Sequence, residues 1–168
     1  MDGRIIKLMT DTLPNIRQFL ESTNLEFEVM GCNPELADTK VFCKEYGIDL
    51  NDSVNAILVK TKTGELKYAA CALLATTRLN INNIVKKKLE ARKVSFANIE
   101  ETVKLTAMNI GGVTPLTLPS TLPLWVDSKV MQRNSIVLGG GNRLSKIKVS
   151  PKIFNYTLNT EIVEGLAN

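Results

Sequence analysis

The amino-acid sequence predicts an α+β fold built on a mixed, largely antiparallel sheet that is flanked by helices. Strand-like segments occur in pairs joined by turns, whereas segments with helical periodicity come at irregular intervals along the chain. The composition is that of a globular protein, since 44% of the 168 residues are hydrophobic and 23% are charged. A chain of this length buries about 70% of its unfolded surface, so we expect a single domain over residues 1–168.

Apolar spacing and end signals support the predicted helices. Pro14 suits the first turn of a helix, where its missing N–H costs nothing. Gly47 is placed to end a helix, because glycine readily adopts the left-handed conformation found there. Asn98 and Glu101 have the spacing of a capping box. Helices are therefore predicted at Pro14–Ser22, Ala37–Tyr46, Asn82–Arg92, Ile99–Thr106 and Pro151–Leu158.

The predicted strands are short apolar or alternating segments bounded by turn residues. They lie at Phe27–Met30, Val54–Lys60, Leu66–Leu74, Val94–Ala97, Leu122–Val126, Ser135–Leu138 and Ser145–Val149. Thr63 and Gly64 mark a turn between the second and the third, which predicts a hairpin. The third is apolar at nearly every position, and this is typical of a central strand covered on both faces.

Several classes of protein are excluded by the composition. The chain has no histidine, which excludes Ser-His-Asp and Cys-His triads and zinc sites with imidazole ligands. Its three cysteines (Cys32, Cys43 and Cys71) form no CxxC pair, so we expect free thiols in a reducing compartment. The first ten residues contain no long apolar stretch, so we expect no signal peptide, and no run of roughly 18–20 apolar residues occurs in the sequence. We expect a cytoplasmic protein with no membrane partner and with no metal or other cofactor.

The charge is distributed unevenly. The net charge is +4, but residues 1–50 hold 5 Lys/Arg and 9 Asp/Glu, a net charge of −4, and the remaining residues carry +8. Positive charge gathered in one part of a chain favours a polyanionic partner, most commonly a nucleic acid. Surplus lysine also serves solubility, and charge alone leaves the two interpretations open.

The first glycine-rich segment is GGVTP, residues 111–115, which follows the helix predicted at Ile99–Thr106. Two adjacent glycines allow the backbone to approach a ligand closely and to direct N–H groups at an anion or a carbonyl oxygen. The alternative is purely structural, namely a helix C-terminus followed by a tight turn.

The second segment is GGGNR, residues 139–143, between two predicted strands. It matches neither a dinucleotide-binding fingerprint nor a P-loop, because no helix follows it. Arg143 beside three glycines would suit a loop that faces phosphate, and a flexible hairpin turn is the alternative.

Two groups of basic residues are candidates for RNA binding. They are Lys86, Lys87, Arg92 and Lys93 around the third helix, and Arg143 with Lys148 in the last part of the chain. The solvated face of an amphipathic helix also explains the first group. Aromatic residues make up only 5% of the chain, which argues against a sequence-reading protein that stacks bases on rings.

The order of these features resembles the YbaK family, which includes the editing domain inserted in bacterial prolyl-tRNA synthetases and its free-standing relatives. The resemblance covers about residues 15–160. Its most specific parts are GGVTP after a helix, the WVD of Leu124–Asp127, and the glycine-rich turn with arginine in Ile136–Arg143.

The resemblance implies a barrel-like α+β domain that hydrolyses the ester of a wrongly charged tRNA. A synthetase pocket separates side chains by only ~1–3 kcal/mol per methylene, so a second site must remove its errors. Water would attack the ester carbonyl, backbone N–H groups would hold the oxyanion, and a ribose hydroxyl would help to activate the water. By position, the catalytic candidates are Gly111, Gly112, Thr114, Asn55 and Lys146, and the further pocket candidates are Pro115, Gly139, Gly140 and Asp127.

Three positions depart from the pattern of the family. Asn55 stands where relatives usually have lysine, Gly139 where serine is frequent, and Lys146 where aspartate is frequent. If Asn55 and Lys146 face one pocket, the positive charge has moved across the site, and Lys146 would meet a phosphate or the carbonyl of the substrate. The alternative is that Lys146 points to solvent at the start of its strand.

Two functions follow from this reading. The first is an aminoacyl-tRNA deacylase that acts in trans on the charged 3′ end of tRNA, with a synthetase as a further possible partner and with no DNA. The second is a non-catalytic relative that uses the same fold to bind tRNA or a synthetase. Loss of the family lysine favours the second function, and both glycine turns favour the first.

Overall fold

The computed structural model describes residues 11–168. Its helices are α1 (Pro14–Ser22), α2 (Thr39–Tyr46), α3 (Lys86–Leu89, continuing a π-helical turn over Ile81–Val85) and α4 (Ile99–Thr106). Short 3₁₀ turns occur at Pro34–Leu36, Leu50–Asp52, Val130–Gln132 and Pro151–Asn155. The strands are β1 (Phe27–Gly31), β2 (Val54–Thr61), β3 (Tyr68–Leu74), β4 (Val94–Phe96), β5 (Leu124–Asp127), β6 (Ile136–Gly139), β7 (Ser145–Val149) and β8 (Thr160–Val163).

These strands form two sheets. One has the order β1-β7-β6, and the other has the order β4-β2-β3-β5-β8. The first sheet is antiparallel throughout, whereas β5 runs parallel to both β3 and β8 in the second. A bridge between Ser53 and Val137 joins the start of β2 to β6. The predicted α+β class with a mixed, largely antiparallel arrangement is thereby confirmed.

Strand β3 is the centre of the larger sheet, as its apolar sequence predicts. Its residues alternate between two cores: Ala70, Ala72 and Leu74 pack with α1, and Ala69, Cys71 and Leu73 pack with α3 and Trp125. Alternation of side chains across a strand explains why both faces of this segment must be apolar. A third cluster, which includes Phe42 and Val137, packs α2 against the smaller sheet.

Local signals placed most elements correctly. Gly47 ends α2 at a φ of 68°, and the capping box of Asn98 and Glu101 opens α4. The helix predicted at Asn82–Arg92 is shorter, because Glu90 adopts a left-handed φ of 53° that ends α3. The final predicted helix, Pro151–Leu158, is wrong: its first part is a 3₁₀ turn, and it is followed by the unpredicted strand β8.

The three cysteines are buried and unpaired. Burial raises the pKa of the Cys71 thiol to about 12, so this group stays protonated at neutral pH. Within residues 11–168, no helix is long and apolar enough to cross a membrane.

Glu101 fastens α4 to the larger sheet. Its carboxylate accepts hydrogen bonds from Lys60 Nζ at 2.7 Å and from the Tyr68 hydroxyl, and it also accepts one from the backbone N–H of Asn98. These bonds favour the charged form and lower the pKa of Glu101 from 4.5 to about 2.

This lowered pKa predicts a specific acid sensitivity. The native state holds Glu101 charged, so its contribution to stability is complete above pH 4.5 and is lost as the pH falls towards 2. Glu101→Gln should therefore flatten the dependence of the urea unfolding midpoint on pH across this window. Glu100→Gln, at the exposed neighbouring position, is the matched control and should follow the wild-type curve. A Glu101→Gln curve parallel to wild type would contradict the assignment.

Candidate active site

A pocket of about 270 Å³ opens between the edge of β2 and the end of β6, beside the start of α2. Four candidate residues from the sequence line it: Asn55, Gly111, Gly139 and Lys146. They come from β2, the GGVTP turn, β6 and β7, which are segments far apart in the chain. The pocket therefore exists only when both sheets and the loop after α4 are assembled.

The open edge of β2 forms one wall of this pocket. On that side, β4 pairs with β2 only over Val59–Thr61, and Ala97 N–H donates to Leu58 O. The bridge from Ser53 to Val137 closes the other end. Between these points the strand has no neighbouring strand within the described chain, and Asn55 and Ala56 line the pocket there.

Lys146 is the main charged group of the pocket. Only 6% of the residue is exposed, because α2 covers this face of the smaller sheet. Its ammonium donates to Ala37 O at 2.8 Å and to Gly111 O at 3.1 Å, and it lies 5.5 Å from the centre of the Phe42 ring. Burial lowers the pKa of Lys146 below its ordinary value. An ammonium has three donors, and two of them are used within residues 11–168, so one N–H remains for a ligand in the pocket.

Asn55 lies at the base of α2. Its Oδ1 accepts a hydrogen bond of 2.8 Å from Thr39 Oγ1, and among residues 11–168 its side-chain NH₂ has no acceptor, so this group can donate to a ligand. Asp38 precedes Thr39, lines the same pocket and does not cap the helix with its side chain. The carboxylate of Asp38 raises the pKa of Lys146, but this effect is smaller than that of burial.

The two glycine turns hold each other in place. Gly141 N–H donates to Gly112 O at 2.6 Å, and Asn109 N–H donates to Gly141 O at 3.2 Å. A Cβ at Gly139 would lie 2.6 Å from the carbonyl oxygens of both Gly112 and Val113. Glycine is therefore required where β6 passes under the GGVTP turn.

Gly112 is packed against the second turn instead of lining the pocket. A Cβ at this position would overlap the backbone carbonyl of Asn142. Gly111, its neighbour, adopts a φ of 87° and presents its carbonyl to Lys146. The turn thus contributes one carbonyl oxygen, that of Gly111, to the lysine ammonium, whereas the sequence led us to expect N–H donors.

Four other candidates lie outside the pocket lining. Thr114 is fully buried and its Oγ1 accepts from Leu116 N–H, while Pro115 lines a separate cavity of about 80 Å³. Gly140 does not line the pocket, and its carbonyl oxygen accepts a hydrogen bond from Thr12 Oγ1 at 2.7 Å. Asp127 is buried 3.6 Å from Lys129 Nζ, at the end of β5. Strand β3 lies between β5 and the pocket edge of β2, which explains why Asp127 cannot reach it.

The basic residues predicted to bind RNA differ in their exposure to solvent. Lys87, Arg92 and Lys93 are exposed, and Lys86 is half-buried. Lys148 is exposed on β7, where Glu28 of β1 stands opposite. Arg143 is half-buried, and its guanidinium donates to Ile110 O at 3.0 Å and to Pro34 O at 2.7 Å.

The Arg143 side chain links two backbone segments of the site by hydrogen bonds. The two carbonyls that it binds belong to the segments that carry Gly111 and Ala37, whose own carbonyls hold Lys146. Sequence reasoning also missed the pocket residues Asp38, Thr39 and Phe96. None of them belongs to a recognisable motif, so only the folded arrangement reveals them.

The site is a pocket with one buried cation, and comparison with known proteins gives the class of the protein. The model of the aminoacyl-tRNA editing domain family matches residues 33–155. The chain belongs to this family, as the resemblance to YbaK proteins predicts.

Solved structures show the same fold. The crystal structure of the hypothetical protein APE2540 matches with a TM-score of 0.77 and 21% identity, and the match covers 91% of this chain and 99% of that one. A candidate trans-editing enzyme for prolyl-tRNA synthetase matches with a TM-score of 0.73 and 18% identity over 90% of this chain and 96% of that one. At these identities the structural likeness establishes the fold alone.

The contact between the glycine turns predicts the effect of a single methyl group. Gly112→Ala should lower the free energy of unfolding by about 1–3 kcal/mol or more, because the new Cβ meets rigid backbone at Asn142. Urea unfolding measures this loss. Gly64→Ala is the comparison, since a Cβ there meets nothing and only the φ of 73° is strained. An undiminished free energy for Gly112→Ala would show that the two turns are not packed together.

Proposed function

We propose that this protein hydrolyses the ester bond between an amino acid and the 3′ end of tRNA, acting in trans on mischarged tRNA. The observation that carries the proposal is the buried ammonium of Lys146, which has one unused donor in a pocket of an aminoacyl-tRNA editing domain. Such a donor can stabilise the oxyanion that forms during attack on an ester.

The proposed reaction needs no histidine. A water oxygen attacks the ester carbonyl carbon, and the negative charge that develops on the carbonyl oxygen is stabilised by Lys146. The bond from the carbonyl carbon to the ribose oxygen then breaks, and that oxygen takes a proton derived from the water. The adjacent ribose hydroxyl of the terminal adenosine orients the water, and the products are the free amino acid and uncharged tRNA.

The charge arrangement of the site supports this role. Lys146 stands where relatives often have aspartate, and Asn55 stands where they usually have lysine, yet both line one pocket. The pocket thus retains a cation, Lys146, on a different wall from the position of the usual lysine, and the amide of Asn55 is a neutral donor at that position. Small apolar residues, among them Ala37 and Ala56, favour a small amino-acid side chain as the substrate.

A deacylation panel tests the proposal. Purified protein is incubated with alanyl-, cysteinyl-, seryl- and prolyl-tRNA, and the release of each amino acid is compared with retention of the same tRNA on a filter. We expect turnover of at least one small aminoacyl-tRNA. Retention without any turnover would reject the deacylase and would support the non-catalytic tRNA-binding relative.

Replacing Lys146 should separate activity from stability. Lys146→Met should reduce kcat/KM by roughly 30-fold or more, equivalent to ~2 kcal/mol of transition-state stabilisation. The free energy of unfolding at pH 7 should change little, because relief of the desolvated charge opposes the loss of the hydrogen bonds to Ala37 O and Gly111 O. Single-turnover deacylation and urea unfolding measure the two quantities.

Lys44→Met provides the control for this experiment. Lys44 is exposed on α2 and does not line the pocket, so its variant should match wild type in both measurements. A Lys146→Met protein with the wild-type deacylation rate would show that the ester does not contact this lysine.

Contact with tRNA should depend on salt through the first basic group, Lys86, Lys87, Arg92 and Lys93. Each phosphate contact contributes about −0.7 to −0.9 to the slope of log affinity against log salt. Reversing Arg92 and Lys93 to glutamate should make this slope shallower by about one to two units. Filter binding over a salt series measures the slope. An unchanged slope after reversal of all four charges would assign them to solubility.

A further inference from the structure

The mouth of the pocket carries an exposed apolar patch that the hydrolytic chemistry does not use. Phe96 is 57% exposed and Ile110 is 38% exposed, and both residues line the pocket. Ile99, at the start of α4 three residues after Phe96, is 67% exposed. Solvent exposure of two large apolar side chains that line a site, with a third nearby in the chain, indicates a binding surface.

The position of Phe96 is set by strand pairing. It stands opposite Val59 in the antiparallel pair of β4 and β2, so the two side chains point to the same face of the sheet. Ile57 and Asn55 follow on that face by alternation along β2. Strand β4 ends at Phe96, where the open edge of β2 begins. The ring therefore stands at the boundary between the sheet and the pocket.

Two basic residues precede this ring in the chain. Arg92 and Lys93, both exposed, lie four and three residues before Phe96, so their Cα atoms are at most about 13 and 10 Å from that of Phe96. An exposed aromatic ring with cations in the adjoining segment suits a single-stranded nucleotide, since the base can stack on the ring while the phosphates meet the charges. An exposed ring with only apolar neighbours would suit a protein partner equally well. The nearby cations Arg92 and Lys93 favour a nucleic acid, because they can bind its phosphates.

We infer that Phe96 is a stacking platform for the 3′-terminal nucleobase of tRNA, with Arg92 and Lys93 facing the phosphates that precede it. The inference deepens the proposed function and rests on it, because the base would lie at the mouth when the ester is next to Lys146. Stacking is tolerant of base sequence, and the terminal adenosine is shared by tRNAs, so the subsite positions any acceptor end without selecting the amino acid.

The test uses an uncharged RNA hairpin with a single-stranded 3′ end, so that binding is measured without hydrolysis. The terminal base is 2-aminopurine, whose fluorescence is quenched by stacking, and a second hairpin has an abasic residue at this position. Wild-type protein should quench the fluorescence and should bind the abasic hairpin roughly 5- to 150-fold more weakly.

Variants assign this difference to the ring. Phe96→Leu keeps an apolar side chain but removes the aromatic face. It should therefore weaken binding of the intact hairpin by the factor that the abasic residue costs the wild-type protein, and it should leave the affinity for the abasic hairpin unchanged. Phe96→Trp should retain both the quenching and the affinity. Tyr156→Leu is the matched control, because Tyr156 is also an exposed aromatic residue, at 49%, and does not line the pocket.

Three results would overturn the inference. The first is Phe96→Leu weakening both hairpins equally or neither of them. The second is an absence of quenching by wild-type protein. The third is a concentration-dependent dimer that Phe96→Leu dissociates while RNA binding stays intact, which would assign the patch to a second copy of the chain.

The outcome is separable from that of the deacylation panel. Ring-dependent quenching without ester hydrolysis would reject the proposed function and keep the stacking subsite. Hydrolysis at the wild-type rate by Phe96→Leu, together with unchanged binding, would keep the function and reject the subsite.

Discussion

The burial of one ammonium group organises this site. Lys146 leaves water for a pocket where two carbonyl oxygens, an aromatic ring and the more distant Asp38 carboxylate compensate its charge. Such a group is expensive to bury, so the segments that carry Ala37 and Gly111 must be held firmly. Arg143 binds a carbonyl in each of these segments, and the close packing at Gly139 fixes the turn from below. The geometry of the pocket follows from these contacts.

The fold could be predicted where a local signal decides the structure. Pro14, Gly47 and the pair of Asn98 and Glu101 each act through backbone conformation or capping within a few residues, and all three elements appear as predicted. Strand β8 could not be predicted in this way. Its polar sequence becomes a strand only because β5 offers a parallel edge, which is a long-range pairing that no local pattern reveals.

The candidate site likewise combines features that the sequence predicted with features that depend on long-range packing. The two glycine turns indicated where the chain comes together, and Asn55, Gly111, Gly139 and Lys146 do line one pocket. Motif membership does not fix the direction of a side chain, and Thr114 and Asp127 accordingly point into the protein interior. For Lys146, the sequence left the pocket and the solvent as alternative directions, and the docking of α2 buries the side chain.

Titration of Lys146 by NMR most directly tests whether the pocket holds a desolvated cation that faces the ester. The protein is labelled at lysine side chains, Lys146→Met assigns the signal, and the pKa is measured with and without an amide analogue of aminoacyl-adenosine. We expect a pKa below the ordinary 10.5 in the free protein, and an increase when the analogue carbonyl accepts a hydrogen bond from the ammonium. A pKa of 10.5 that the saturating analogue leaves unchanged would contradict the central role of Lys146.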